Sequence, residues 1–388
     1  MQGYLALAED EPQRLRRRGV TLTGIIRRDD MEEKQQEENN QNKKKSKLRI
    51  LLIILLAVIL LILLLLAVVY FKLKGMSRNS VGIVPKPSGG IEILTPEATL
   101  VPVLNEDELD LSEDYYIEID PDDMTEDPIF ETNPKDPDVI NILMLGSDSR
   151  GRDRGRTDSI ILVSFNQRTR EAKMLSFLRD SWVYIPGRDA WNRINTAYMY
   201  GGVGMLINTL NVNFDLDIKY YMKVNFSSLV SITDKLGGID IELSEKEIEY
   251  INKSSTEKLP VEAGWHHLNG EQTLIHARNR RIGNGDWART ERQRNVMMAF
   301  LRRAREETSA SSLASLVYNL IDDVETNMSP TQLVSLAIDV VLNGELSLNS
   351  RPVPFEKTWN YAWEGKMAVI HIDIEANKQK INEYLYGE

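Results

Sequence analysis

Residues Val139–Arg150 read VINILMLGSDSR, and Ser159–Phe165 follows with SIILVSF. Each is a short, nearly unbroken run of Ile, Leu and Val, the mark of a strand buried on both faces. Ala172–Leu178 and Ile218–Val224 (IKYYMKV) read as two further strands, and Ile239–Leu243 supplies a fifth. Between and after them the spacing predicts helices over Gly204–Leu210, Phe226–Leu236, Gly270–Ala277, Arg289–Glu306, Ser311–Asp323 and Pro330–Leu342. The second of these stops at Gly237-Gly238, a good helix end. Strands alternating with helices predict an α/β or α/β/α sandwich.

Upstream the character of the chain differs. Ile50–Phe71, ILLIILLAVILLILLLLAVVYF, holds 22 residues without a charge. As a helix it spans roughly 30 Å of hydrocarbon and has no polar face, which predicts one transmembrane helix. Lys43, Lys44, Lys45, Lys47 and Arg49 precede it, whereas only Lys72, Lys74 and Arg78 follow closely. That asymmetry places the N-terminus in the cytoplasm and everything beyond about residue 75 outside the cell. A cleaved signal is disfavoured by the length of the run and by Lys72-Leu73-Lys74-Gly75-Met76, a poor cleavage site. Residues 1–49 read as a disordered cytoplasmic tail, and 75–137, rich in Pro and acid, as an extended stalk. The folded domain is expected over 138–388.

The 388 residues carry a formal net charge of -11, so bulk attraction to nucleic acid is not expected. There is no cysteine, which excludes disulfides, thiolate nucleophiles and cysteine-held metals. There is no GxSxG elbow either. Against this acidic background arginine collects in two windows. The first holds Arg150, Arg152, Arg154, Arg156, Arg179, Arg188 and Arg193; the second Arg278, Arg280, Arg281, Arg289, Arg292 and Arg294. A planar fork that stays charged when desolvated suits a shaped phosphate site better than lysine does. Asp148 follows the first strand, Asp158 opens the second, and Arg179-Asp180 follows the third. Strand ends converge on open sheets, where ligands bind. Two carboxylates among arginines suit either a hard cation beside phosphate or simple ion pairs. His266-His267 could be taken for a metal pair, but adjacent histidines do not share a face of a strand, and the pair reads as structural.

Seven segments in order carry a resemblance: VINILMLGSDSR, GRTDSIILVSFN, LSFLRDSWVYIPG, RINTAYMYGG, VNFSSLVSITDKLGGIDIEL, GWHHLNGEQTLIHARNRR and GDWARTERQR. Together they resemble the LytR-CpsA-Psr family from about Asn141 to Arg305. The resemblance implies an α/β/α domain around a mixed central sheet with a deep hydrophobic pocket for polyprenyl pyrophosphate. It also implies a phosphotransferase that moves teichoic acid, capsule or a similar glycopolymer onto peptidoglycan, with magnesium (manganese as the alternative). By motif, Asp148 and Asp158 resemble the metal-associated carboxylates, which with Arg179 are expected to act in catalysis. Arg156, Arg179, Arg193, Arg278, Arg280, Arg289 and Gln293 resemble the pyrophosphate-binding set. The chain departs from the family pattern at Arg193, where Lys is usual, at His276, where Tyr is usual, and at Phe177-Leu178. A non-catalytic sensor of lipid pyrophosphates and a lipid pyrophosphatase are the alternatives. A DNA-binding regulator conflicts with arginines on the outer side of a membrane.

Overall fold

The computed structural model describes residues 81–86, 124–148, 155, 157–306, 309–342 and 345–387. The expected membrane span and tail lie outside these residues. No helix among the described residues is long and apolar enough to cross a membrane.

The chain enters with β1 (Ile83–Val84) and β2 (Ile129–Phe130), followed by β3 (Val139–Ser147), β4 (Thr157–Asn166), β5 (Glu171–Phe177), β6 (Ser181–Ile185) and β7 (Ala190–Arg193). Helix α1 (Ile194–Phe214), β8 (Tyr220–Asn225), α2 (Phe226–Lys235), β9 (Ile239–Leu243), α3 (Glu245–Ser254), β10 (Gly264–Leu268) and α4 (Gly270–Arg278) come next. The C-terminal part holds α5 (Asp286–Ala304), α6 (Ala310–Leu320), β11 (Glu325–Thr326), α7 (Pro330–Ala337), β12 (Glu345–Val353), β13 (Trp359–Glu364), β14 (Met367–Ile372) and α8 (Ile374–Tyr386).

The central sheet runs β11-β8-β3-β4-β5-β12. It is mixed: β3, β4 and β5 pair antiparallel, while β8 joins β3 and β12 joins β5 in parallel. The β4–β5 turn is set by Asn166, whose Oδ1 accepts from the backbone N–H of Arg168 and Thr169, both at 2.9 Å. A second sheet, β13-β14-β6-β7, flanks the first, and β9 pairs with β10 apart from both.

Side chains alternate across the central strands, and the two faces have different fates. Leu143, Leu145, Leu162, Leu175 and Phe177 face α1 and α8, where Leu206, Leu210, Phe214, Ile381 and Leu385 complete a closed core. Ile142, Met144, Ile161, Val163 and Met174 face the other way, toward α2, α5, α6 and α7, and line a cavity. Continuous apolar strands therefore arise because one face meets a packed core and the other an apolar hollow.

Five expected strands are present, the fifth in the small β9–β10 sheet rather than the central one. Helix α1 begins ten residues before the expected Gly204, with non-helical φ and ψ at Gly201 and Gly202. The glycines there serve a close approach: a Cβ on Gly204 would lie 1.8 Å from the carbonyl oxygen of Asp127. Asp127 in turn donates to Gly201 O at 3.1 Å. The expected C-terminal helices end early, α6 passing into a 3₁₀ turn at Ile321–Asp323 and α7 into a π-helical turn at Ile338–Leu342.

The folded unit also takes in segments whose composition reads as stalk. β1 pairs in parallel with β2, and Val81 packs against the main core. Lys135 N–H donates to Asp217 Oδ2 at 2.9 Å, tying this region to the base of β8. Pairing partners so distant in sequence leave no trace in local composition.

Candidate active site

The cavity has a volume of about 950 Å³, at the upper end of the roughly 300–1,000 Å³ common for ligand pockets. Its wall is apolar over most of its length, from Ile161 and Met174 on the sheet to Phe300, Leu316 and Leu336 on the helices. At one end the lining turns polar: Asp148, Gly155, Asp158, Ser159, Arg278, Arg280, Arg289 and Gln293.

Four elements deliver these groups. β4 opens with Thr157-Asp158, the chain leaving β5 carries Arg179-Asp180, α4 ends at Arg278 with Arg280 just beyond, and α5 begins at Asp286. An acid in the first turn suits the positive end of α5, and Asp286 and Arg289 stand one turn apart on the same face. Arg179 Nη1 donates to Asp158 Oδ1 at 2.8 Å, and its Nε to Asp286 Oδ2 at 3.1 Å. Arg280 lies 3.6 Å from Asp158 Oδ2 and 3.3 Å from Asp286 Oδ1. Arg289 lies 3.7 Å from Asp158 Oδ2 and donates to Asp286 Oδ2 at 2.9 Å. Arg278 rests its guanidinium 4.4 Å from the Phe226 ring centroid, an arrangement that holds a cation at the edge of an apolar wall.

Charge and burial decide the electrostatics. Burial alone would raise the Asp158 carboxyl, but Arg289 and Arg179 hold it down at about 2. Burial would lower Arg179, yet Asp180, Asp286 and Asp158 raise it. Arg289 is lowered by burial, and Asp180 is raised by burial. The cavity lining itself carries Arg278, Arg280 and Arg289 against Asp148 and Asp158, a surplus of one positive charge, so the mouth favours a further anion. Arg289 Nε and Gln293 Oε1 are buried without a hydrogen-bond partner among the described residues. Unsatisfied buried groups of this kind are costly unless a ligand meets them.

Not every expected residue joins the cluster. Arg156 lies outside the described residues. Arg193 donates to Ala368 O through Nε at 3.1 Å and Nη2 at 2.5 Å, and its Nε lies 3.5 Å from Asp180 Oδ1. It stands behind Asp180, against the second sheet, rather than on the cavity wall. Arg292 is a positioning residue. It pairs with Glu247 at 2.7 Å and donates to the carbonyls of Asn279 and Ile282 at 3.1 and 2.8 Å, fixing the loop that carries Arg280. Beside that pair His276 is buried and held down at about 4 by its desolvation. His267 bridges Asp240 at 2.8 Å and Gly237 O at 2.7 Å, a structural role.

Asp286 was absent from the expected set, although it binds three arginines. Its signal lay in the quoted GDWARTERQR: an acid opening a helix one turn before an arginine. Among the described residues no group of three or more His, Cys, Asp or Glu is arranged to hold a metal ion.

The LytR_cpsA_psr family matches residues 110–383. The chain belongs to this family. It is 32% identical over 198 residues to a polyisoprenyl-teichoic acid–peptidoglycan teichoic acid transferase, TagU, from Bacillus mycoides, covering 51% of this chain and 63% of that protein. Over 205 residues it is 30% identical to the TagT transferase of Bacillus subtilis, with the same coverage. The chain thus spans less than two thirds of the length of these relatives. A solved structure of TagT bound to LI-WTA superposes with a TM-score of 0.55 at 25% identity, covering 67% of this chain and 93% of that one. The fold is that of this family.

Proposed function

We propose that this family member transfers a glycopolymer from a polyprenyl-pyrophosphate carrier to peptidoglycan, outside the cell and tethered through Ile50–Phe71. The observation that carries the reading is a long apolar cavity ending in three arginines and two carboxylates. An isoprenoid chain gains from burial in the first part, at roughly 25 cal/mol for each Å² removed from water. Its pyrophosphate then meets the charged mouth. The relatives' names, and TagT with LI-WTA, supply the polymer and acceptor classes.

In this reading Arg280 and Arg289 take phosphate oxygens, and Arg179 holds Asp158 and Asp286 in place behind them. Arg289 Nε, buried without a partner among the described residues, is a donor left to a phosphate oxygen. Attack by a sugar hydroxyl on the polymer-side phosphorus forms a phosphodiester, breaks the bond to the bridging oxygen and expels the lipid phosphate, which takes up the hydroxyl proton. The arginines stabilise the charge that grows on the leaving oxygen. A carboxylate held at about 2 is a weak proton acceptor, so Asp158 acts electrostatically.

Magnesium fits the donor set. It binds through one or two carboxylates plus substrate phosphates and keeps several waters, and Asp148 and Asp158 both line the cavity mouth. Those two residues would hold it. Bound there, it would neutralise phosphate charge.

The test uses the full chain in nanodiscs with lipid-linked polymer and peptidoglycan, with and without magnesium. Polymer attached to peptidoglycan, lost in Arg280→Ala and Arg289→Ala, supports the proposal. Lipid phosphate released equally without acceptor would point to a pyrophosphatase. Tight lipid binding without turnover would point to a sensor.

A further inference from the structure

Beside the arginine cluster lies an aromatic row that neither the cavity nor the charged mouth uses. Trp359, Tyr361 and Trp363 alternate along β13 and so share one face of the second sheet, each about 6.8 Å from the next along the strand. Trp287 extends the row from α5. Its ring centroid lies 4.9 Å from that of Trp359, its Nε1 donates to Tyr361 Oη at 3.1 Å, and Trp359 meets Tyr361 edge-on at 5.0 Å. Tyr361 is 6% exposed and anchors the row, whereas Trp363 is 41% exposed at its outer end.

Two connections join this row to the reacting centre. Trp287 directly follows Asp286, which binds Arg179, Arg280 and Arg289. Opposite Trp363 on β14 stands Ala368, whose carbonyl is held by Arg193, which pairs with Asp180 and through it with Arg179.

We propose that Trp287, Trp359 and Trp363 form the subsite for the acceptor glycan, a strand of amino-sugar residues. The inference rests on the transfer reading above and names where its second substrate lies. With the lipid in the cavity and its pyrophosphate at the mouth, the attacking hydroxyl must arrive from outside. The row begins there. Aromatic rings with a polar edge match a pyranose ring, which offers a face of C–H bonds and a rim of hydroxyls. Trp363 is flanked by Ala362 and Glu364, and the acidic neighbour disfavours an anionic bilayer surface.

The test again uses the full chain in nanodiscs, with soluble uncross-linked peptidoglycan strands as the probe. Strands should quench tryptophan fluorescence in the wild type. In the transfer assay Trp363→Ala should raise the acceptor KM roughly tenfold, the loss of about one stacking contact, with kcat and lipid binding kept. Trp363→Tyr should recover most of the loss, and Trp359→Leu, which keeps an apolar body, should act like Trp363→Ala. An unchanged acceptor KM in both Trp363→Ala and Trp359→Leu overturns the subsite. So does self-association that Trp363→Ala abolishes while strand binding persists, since the row would then meet a second copy. Quenching that is lost in Trp363→Ala, in a chain that transfers nothing, leaves the subsite standing and overturns the transfer reading instead.

Discussion

Arg179 reaches Asp158 with one guanidinium nitrogen and Asp286 with another, at 2.8 and 3.1 Å, while only 6% of its side chain meets solvent. It joins the strand that opens the site to the helix that closes it. Removing the cation strands buried carboxylates against one another, a loss of about 3–5 kcal/mol by comparison with other broken buried pairs. Arg179→Ala should therefore unfold at markedly lower denaturant and lose lipid binding. Arg179→Lys, a point charge with no fork, should fall between. Chemical denaturation of the full chain in detergent checks both.

The low pKa of Asp158 makes an acid prediction. Its folded-state carboxyl sits at about 2, below the 3.8 of the unfolded chain. The ionised form is favoured on folding, so its contribution is complete above about 5 and is lost as pH falls through about 2. The change should be roughly 2 kcal/mol over that window. Asp158→Asn should flatten the profile there. An identical slope in both proteins would sink the claim.

What the sequence disclosed was set by how local each signal is. Val139–Ser147 and Thr157–Asn166 announce themselves as strands because both faces are apolar. The arginine windows, though far apart in the chain, could be read as one site because strand ends and helix starts converge. Asp286 escaped because a lone acid in a charged helix resembles solvated surface. The placement of Arg193 escaped because its partner is a backbone carbonyl at Ala368, and no side-chain pattern marks a carbonyl as an acceptor. Short half-polar strands such as β13, and α8 with its mixed composition, take their structure from the sheet and core they dock on rather than from their own periodicity.

His267 places both ring nitrogens against acceptors, the Asp240 carboxylate and the Gly237 carbonyl. These bonds require the imidazolium, and its pKa is raised by the Asp240 and Gly237 hydrogen bonds. Stabilisation of this kind is present below the unfolded pKa and fades as pH rises through the folded one. Titration of the ring protons by NMR should show a midpoint above the usual 6.5. The same corner makes Gly238 intolerant. Its φ is +100°, and a Cβ there would lie 2.2 Å from His267 Nε2, so Gly238→Ala should cost at least about 1–3 kcal/mol.

Leu162 and Val163 are neighbours on β4 with opposite surroundings, and they separate fold from function. Leu162 is wholly buried in the closed core, so Leu162→Ala should cost about 2–5 kcal/mol through the hole it leaves. Lipid held by the surviving folded fraction should bind nearly as before, since the cavity wall is untouched. Val163 faces the cavity, where added volume meets no packed neighbour. Val163→Trp should therefore leave the unfolding free energy within about 0.5 kcal/mol of wild type while filling space an isoprenoid chain needs. Its affinity for a long polyprenyl pyrophosphate should fall at least tenfold, with a short-chain analogue affected far less. Calorimetric titration of both lipids into both variants measures this. Equal loss for long and short lipids in Val163→Trp would mean that the tail does not lie along β4.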